Sequence, residues 1–414
     1  MSFLADLAAT VSLPPMYRVE QEFDRSSIAD IPGATWRQLE GTPELADIAG
    51  ERVGIALGSR GIAGIDNIGR TVAAWLHSRR AEPFIVPAMG SHGGATSSGQ
   101  RSVLAHLGIT EETMSAPIHD SMAVRVLDHV CGAPVYWSSE AHSADRLILV
   151  NRVKPHTAFR GPRESGLTKM LAVGLGKREG AQTLHGLGPE RFADTIPAFA
   201  AAILRQAPPI VGLALIENAY HRICHVEALP SAAFARREPE LLDLAWKHLP
   251  GLPVDRLDVL VVDEIGKDIS GDGMDPNVTG RFPVPQLTGG ATVGKIVVLG
   301  LTAGTDGNGN GLGLADFTTR GVIDSVDWHT TYVNALSGMT TTTIKRPLAA
   351  DTSDAAVKLA IRTSTSDLQT VRLARIRNTL CLSSILVSES VLATLGRSDG
   401  TVAVEGPVAL WSQW

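Results

Sequence analysis

Val53-Gly54-Ile55-Ala56-Leu57-Gly58-Ser59-Arg60-Gly61-Ile62-Ala63-Gly64 is the stretch from which the fold is read. Its apolar first half predicts a strand buried on both faces, and the glycines that follow predict a loop rather than a continued strand. An amphipathic pattern over 66–80 then predicts a helix. The rhythm repeats at once: 84–87 opens a second strand, Met89-Gly90-Ser91-His92-Gly93-Gly94 forms a second glycine loop, and a helical pattern runs to Leu107. Strand, loop, helix, twice over, is the signature of a parallel α/β sheet. Further along, 147–150 and 210–215 read as buried strands, with a polar loop over 151–166 and a helix over 194–205. Ligands in such sheets collect at the loops beyond the carboxyl ends of the strands. Here those loops carry Arg60, His92 and His156.

The Pro/Gly cluster at 249–253 predicts a domain boundary. Beyond it, 257–262, 295–301 and 371–376 read as strands, and 317–335 and 354–362 as helices. The expected fold class is α/β, with two α/β domains built on mainly parallel sheets and the active site in the cleft between them. The first domain is 1–252 and the second 253–399, with residues 400–414 returning to the first. Of the 414 residues, 44% are apolar and 19% charged, which fits a globular chain and excludes a disordered or fibrous one. The net charge of −6 argues against nucleic acid or an acidic membrane surface as a partner. Cys131, Cys224 and Cys381 form neither a disulfide framework nor a CxxC pair. No apolar run approaches the roughly 18 residues of a membrane span, and no basic residue precedes the first apolar run. A cytoplasmic protein is expected.

Histidine is the only side chain that titrates near neutrality unperturbed, and it also ligates metals readily. Of twelve histidines, three stand in glycine- or proline-bounded loops or turns: His92, His156 in Lys-Pro-His-Thr, and His185 in Thr-Leu-His-Gly-Leu-Gly. A ligand has room to approach such positions, although each also suits a helix cap or a bond to backbone. His221 and His225 would face one metal if helical, but the residues before them read as strand and no third ligand is at hand. Lys169 precedes Met170-Leu171-Ala172-Val173, a setting that desolvates an amine and eases covalent attachment. Gly174-Leu175-Gly176-Lys177 has the glycines of a phosphate cradle without the P-loop spacing. In Glu264-Ile265-Gly266-Lys267-Asp268, Lys267 is placed to meet a substrate carboxylate. A surface salt bridge is the plainer role for it.

Taken in order, Gly90-Ser91-His92-Gly93-Gly94-Ala95-Thr96, Pro155-His156-Thr157-Ala158-Phe159-Arg160-Gly161, the run from Gly166 through Lys169 to Gly176, His185, and Gly266-Lys267-Asp268 resemble the nickel-dependent lactate racemase family. The step from Lys169 to His185 matches the spacing in that family. The resemblance implies a nickel-pincer nucleotide, a pyridinium mononucleotide whose two sulfur-bearing arms hold nickel between them. One arm would be tethered to Lys169, with Gly174 and Gly176 beside the cofactor and His185 completing the nickel coordination. Soft sulfur, carbon and imidazole donors in a planar set suit nickel. His92 and His156 would then be bases on the two faces of the substrate, and Arg60 and Lys267 would bind substrate or cofactor.

The implied activity is racemisation or epimerisation of a 2-hydroxy acid. Loss of the hydroxyl proton lets the Cα hydrogen depart as hydride, and the planar keto acid can take it back on either face. A fixed cation on the carboxylate keeps the exchange in register. Two departures from the family point to a divergent member acting on another 2-hydroxy acid: Leu57 stands where the family has an aspartate, and the loop from His156 to Lys169 is longer. The partners implied are that small-molecule acid and the enzymes that make the cofactor. Two alternatives stay open on the residues alone. One is a zinc-dependent hydrolase with His92, His156 and His185 as ligands; the other is a non-catalytic nucleotide carrier.

Overall fold

A computed structural model of the chain describes residues 3–59, 61–364, 367, 370–395 and 401–414. The fold is mixed α/β with mainly parallel sheets, arranged as two compact units, Asp24–Leu249 and a second made of Met1–Phe23 together with Pro250–Trp414.

In the unit Asp24–Leu249, five strands lie in the order Glu82–Pro87, Arg52–Leu57, Arg146–Arg152, Ile210–Glu217 and Ile223–Pro230. The first four are parallel and the last is antiparallel. Both faces of this sheet are covered, which is why its strands read as unbroken apolar runs. Val53, Ile55 and Leu57 pack with Ile68, Val72 and Leu76 of the helix Ile65–Ser78. On the opposite face Ala56, Leu149 and Ala214 pack with Phe199 and Ile203 of the helix Phe192–Leu204. The parallel strands all run toward one edge, and the chain leaves that edge through the segments that hold Ser59, His92 and His156.

The second unit contains an eight-stranded sheet. Leu348–Ala350, Phe317–Thr319, Thr292–Val298, Arg256–Val262 and Leu373–Ile376 are parallel. Ser384–Ser388, Met16–Gln21 and Thr401–Val408 follow in antiparallel order. The division therefore differs from the 1–252 and 253–399 expected from sequence. Met16–Gln21 pairs with Ser384–Ser388 on one side and Thr401–Val408 on the other, so both chain ends belong to the sheet of the second unit. The segment 317–335 also differs from the single helix expected. Its first three residues form the strand Phe317–Thr319, where buried Thr318 donates its hydroxyl to the Val298 carbonyl at 2.7 Å. The rest is two helices, Arg320–Ser325 and Trp328–Ser337, each started by a side-chain cap, from Thr319 and Asp327. Among the described residues, no helix is long and apolar enough to cross a membrane.

Candidate functional site

Lys169 closes a short helix, Leu167–Lys169, that passes directly into a π-helical turn, Met170–Gly174. Single π turns inside helical runs recur at functional sites. The start of this helix is held from a distant part of the chain. Glu238, buried on the helix Phe234–His248, accepts from the Thr168 N–H at 3.1 Å and from the Thr168 hydroxyl. Burial raises the proton affinity of this carboxyl, and the Thr168 and Leu167 donors oppose that shift.

The Lys169 Nζ lies 2.5 Å from His156 Nε2. His156 belongs to a loop closed at its base by reciprocal backbone bonds between Lys154 and Ser165, at 3.1 and 3.2 Å. Inside the loop, buried Glu164 accepts from the His156 N–H at 2.6 Å and from the Gly161 N–H at 3.3 Å, and Arg160 reaches it at 3.5 Å. Desolvation pushes the Glu164 carboxyl up, against the pull of the His156 N–H and the Arg160 charge. The His156 ring is oriented from its other side as well, because the Ala158 N–H donates to Nδ1 at 2.9 Å.

His185 sits in the last turn of the helix Lys177–Gly186. A run of rings links it to His156: His156 to Phe159 at 4.5 Å, Phe159 edge-on to Phe192 at 5.5 Å, and Phe192 edge-on to His185 at 5.3 Å. Burial, and then the charge of Lys169, push the His185 imidazole down to about 4. At neutral pH it is therefore a neutral ring with a lone pair, the form a metal ligand needs.

His92 is exposed at the end of the loop after Glu82–Pro87, and its Nδ1 is 2.5 Å from the Ser59 hydroxyl in the neighbouring loop. This loop is pressed against the π turn. The Gly90 N–H donates to the Gly174 carbonyl at 2.9 Å, and a Cβ on Gly174 would lie 2.6 Å from the Ala88 carbonyl oxygen. At Gly176 a Cβ would meet the Ala172 carbonyl oxygen at 2.7 Å. Close packing thus accounts for glycine at both positions. Lys177 does not line a phosphate cradle. It is wholly buried, with its Nζ 2.8 Å from the Pro87 carbonyl and 3.4 Å from Gln100 Oε1.

Lys267 lies in the other unit, where its Nζ meets the Gly271 carbonyl at 2.6 Å and Asn334 Oδ1 at 2.8 Å. Arg60 lies outside the described residues. His221 and His225 are not on a helix: His225 is in the strand Ile223–Pro230, with Nε2 2.9 Å from Glu227 Oε2. Among the described residues, no group of three or more His, Cys, Asp or Glu side chains is drawn together as a protein-only metal site requires. The proposed zinc triad of His92, His156 and His185 is not such a group.

No protein-family model matches the chain. No curated protein matches it by sequence. Among solved structures, it is similar to the lactate racemase apoprotein from Thermoanaerobacterium thermosaccharolyticum, with a TM-score of 0.45 and 14% identity over 68% of this chain and 74% of that one. That likeness is one of fold.

Sequence reasoning singles out His92, His156 and His185 because glycines or prolines bound their loops and turns, and Lys169 because an apolar run follows it. It misses the residues that hold them. Ser59 stands in the quoted loop but carries no spacing signal toward His92. Glu238 is 70 positions from Thr168, and nothing local in either segment announces the contact. Phe192 reads as an ordinary core residue of its helix.

Proposed function

We propose that this chain is a racemase or epimerase of a 2-hydroxy acid that works with a lysine-tethered nickel-pincer nucleotide. The observation that carries the reading is the convergence of Lys169, His156 and His185, joined by the 2.5 Å Nζ–Nε2 contact and the aromatic run through Phe159 and Phe192. These are the residues that the motif resemblance pairs with the tether, a substrate base and the nickel ligand. Their chemistry fits the group. Lys169 supplies an amine that is only half-buried, and His185 a neutral imidazole. In the His156 loop, the Arg163 Nε is buried without a hydrogen-bond partner, a donor suited to an anionic arm or phosphate.

When bound, the cofactor would supply an electrophilic carbon that accepts and returns a hydride. The chain's own residues do the rest. His92 and His156 take and return the hydroxyl proton, one for each substrate configuration. Ser59 steadies the His92 ring through Nδ1. Lys267 and Arg60 are assigned to the substrate carboxylate, on which the orientation of Cα depends. Phe159 and Phe192 exclude water beside the reacting centre.

Co-expression with cofactor-making enzymes, followed by intact mass and metal analysis, tests the proposal. The expected result is a mass increment located at Lys169 and one nickel per chain, both lost in Lys169→Arg. A panel of single-enantiomer 2-hydroxy acids should then show one substrate whose configuration scrambles. Protein with neither increment nor nickel would overturn the reading.

A further inference from the structure

Two buried side chains that the proposed chemistry leaves unused converge on the loop that ends in His92. Gln100, wholly buried on the helix Ser97–His106, donates its amide to the Gly90 carbonyl at 2.8 Å and to the His92 carbonyl at 3.4 Å. Its Oε1 faces Lys177 Nζ at 3.4 Å, and the same amine donates to the Pro87 carbonyl at 2.8 Å. The contact between the two side chains has one sense only. The amine donates, so Lys177 fixes Oε1 on its own side and turns the Nε2 hydrogens to the loop. Three carbonyls of one loop, those of Pro87, Gly90 and His92, thus take donors from one connected pair.

An apolar pair would fill the same space with less desolvation. Lys177 is wholly buried and both its acceptors are neutral, so methionine there would leave no amine to strip of water. The Lys177 backbone is strained as well. Its φ is +55°, in the left-handed region that non-glycine residues seldom adopt. Strain of that kind persists where neighbours over-determine a conformation, and it clusters at functional sites. What the polar pair adds is direction. The Gly90 N–H already ties the loop to the π turn at Gly174, and a single tie leaves a pivot. The pair supplies a second tie, from a residue midway between Lys169 and His185, eight positions from each. On its other side the loop rests on the Gln100 helix, where a Cβ on Gly93 would lie 2.6 Å from the Gln100 nitrogen.

We propose that Gln100 and Lys177 form a buried relay that positions His92 relative to the segment carrying Lys169 and His185. Both are positioning residues, acting through the backbone on either side of His92. The inference rests on reading His92 as a proton-transfer residue, but its test needs no cofactor.

The full chain is made without cofactor-synthesising enzymes and examined by nitrogen-15 spectroscopy of its histidines, glutamines and backbone. In the wild type, the Gln100 side-chain amide protons should exchange slowly with water and give cross-peaks to Gly90 and His92. A Gln100 amide that exchanges like an exposed one would overturn the inference with no variant needed. Gln100→Leu, Gln100→Glu and Lys177→Met each break the relay, and Gln100→Glu does so while keeping the size and an acceptor for Lys177. Each should speed backbone amide exchange at Gly90 and His92 about tenfold or more, because buried carbonyls are left without donors. Each should also shift the His92 ring signals, while exchange in the strand Arg146–Arg152 changes far less. Equal acceleration in loop and strand, or unmoved His92 signals in the folded variants, would reduce the pair to packing and sink the proposal. Gln100→Leu combined with Lys177→Met should shift the His92 signals by clearly less than the two single shifts added together. Additive shifts would show two independent contacts rather than a relay. A His92 that responds as expected in a chain that scrambles no 2-hydroxy acid would count against the proposed function alone. Scrambling activity with an unresponsive His92 would count only against the relay.

Discussion

At the scale of single residues, the molecule places amines where water is scarce, and Lys177 is the extreme case. No part of it is exposed, and it joins the Pro87 carbonyl to Gln100, whose amide in turn donates to the Gly90 carbonyl at 2.8 Å. The result is an internal strut beneath the loop that ends in His92. Burial pushes the amine down to about 8, against the attraction of Asp120 and Glu140. The unfolded chain holds that proton up to about 10.4. Between those values the unfolded state therefore binds more protons, and this residue's contribution makes stability rise with pH. Below pH 8 both states are charged and the contribution is flat. Melting temperatures of wild type and Lys177→Met, compared across pH, should diverge in favour of wild type from about pH 8 to 10 and run parallel below. Parallel curves across the whole range would show that the amine is not desolvated as described.

At the scale of elements, the site depends on how closely the π turn Met170–Gly174 approaches the Ala88–Gly90 segment. Gly174→Ala would put a methyl 2.6 Å from a backbone oxygen, where no flexible side chain can yield. The expected cost is about 1–3 kcal/mol in urea denaturation, the usual range for forced overpacking. The Gly90–Gly174 bond should be lost with it, read as faster amide exchange at Gly90. A variant as stable as wild type, with Gly90 still protected, would contradict this packing. The same physics explains which elements are legible in the sequence. Strands around 53–57, 147–150, 210–215 and 257–262 are buried on both faces, so each is a continuous apolar run. Met16–Gln21 mixes buried and half-buried positions and includes Arg18 and Glu20, so no such run marks it. Phe317–Thr319 is too short for any period to show, and its Thr residues double as a buried donor and a helix cap. The loops that bear His92 and His156 are legible because glycine and proline bound them. The Glu238 anchor is not, since only the folded chain brings it to Thr168.

At the scale of the whole molecule, the chain begins in one unit, builds the other in full, and returns, crossing at Phe23/Asp24 and Leu249/Pro250. The two units therefore differ in what each needs in order to fold. Asp24–Leu249 holds its entire five-stranded sheet and both of its cores within one continuous segment. Pro250–Trp414 lacks an interior strand, because Met16–Gln21 lies between Ser384–Ser388 and Thr401–Val408, with Met16 and Val19 fully buried. Removing it exposes two strand edges and leaves a gap in the core, a combination that favours aggregation over folding. Expressed alone, 24–249 should give a cooperative melt and dispersed amide spectra, and should retain the His156–Lys169 contact. Residues 250–414 alone should do neither, and joining 1–23 to 250–414 through a flexible linker should restore a cooperative transition. A folded 250–414 without its N-terminal strand would mean that Met16–Gln21 only decorates the sheet, and that the burial of Met16 and Val19 contributes little to its stability.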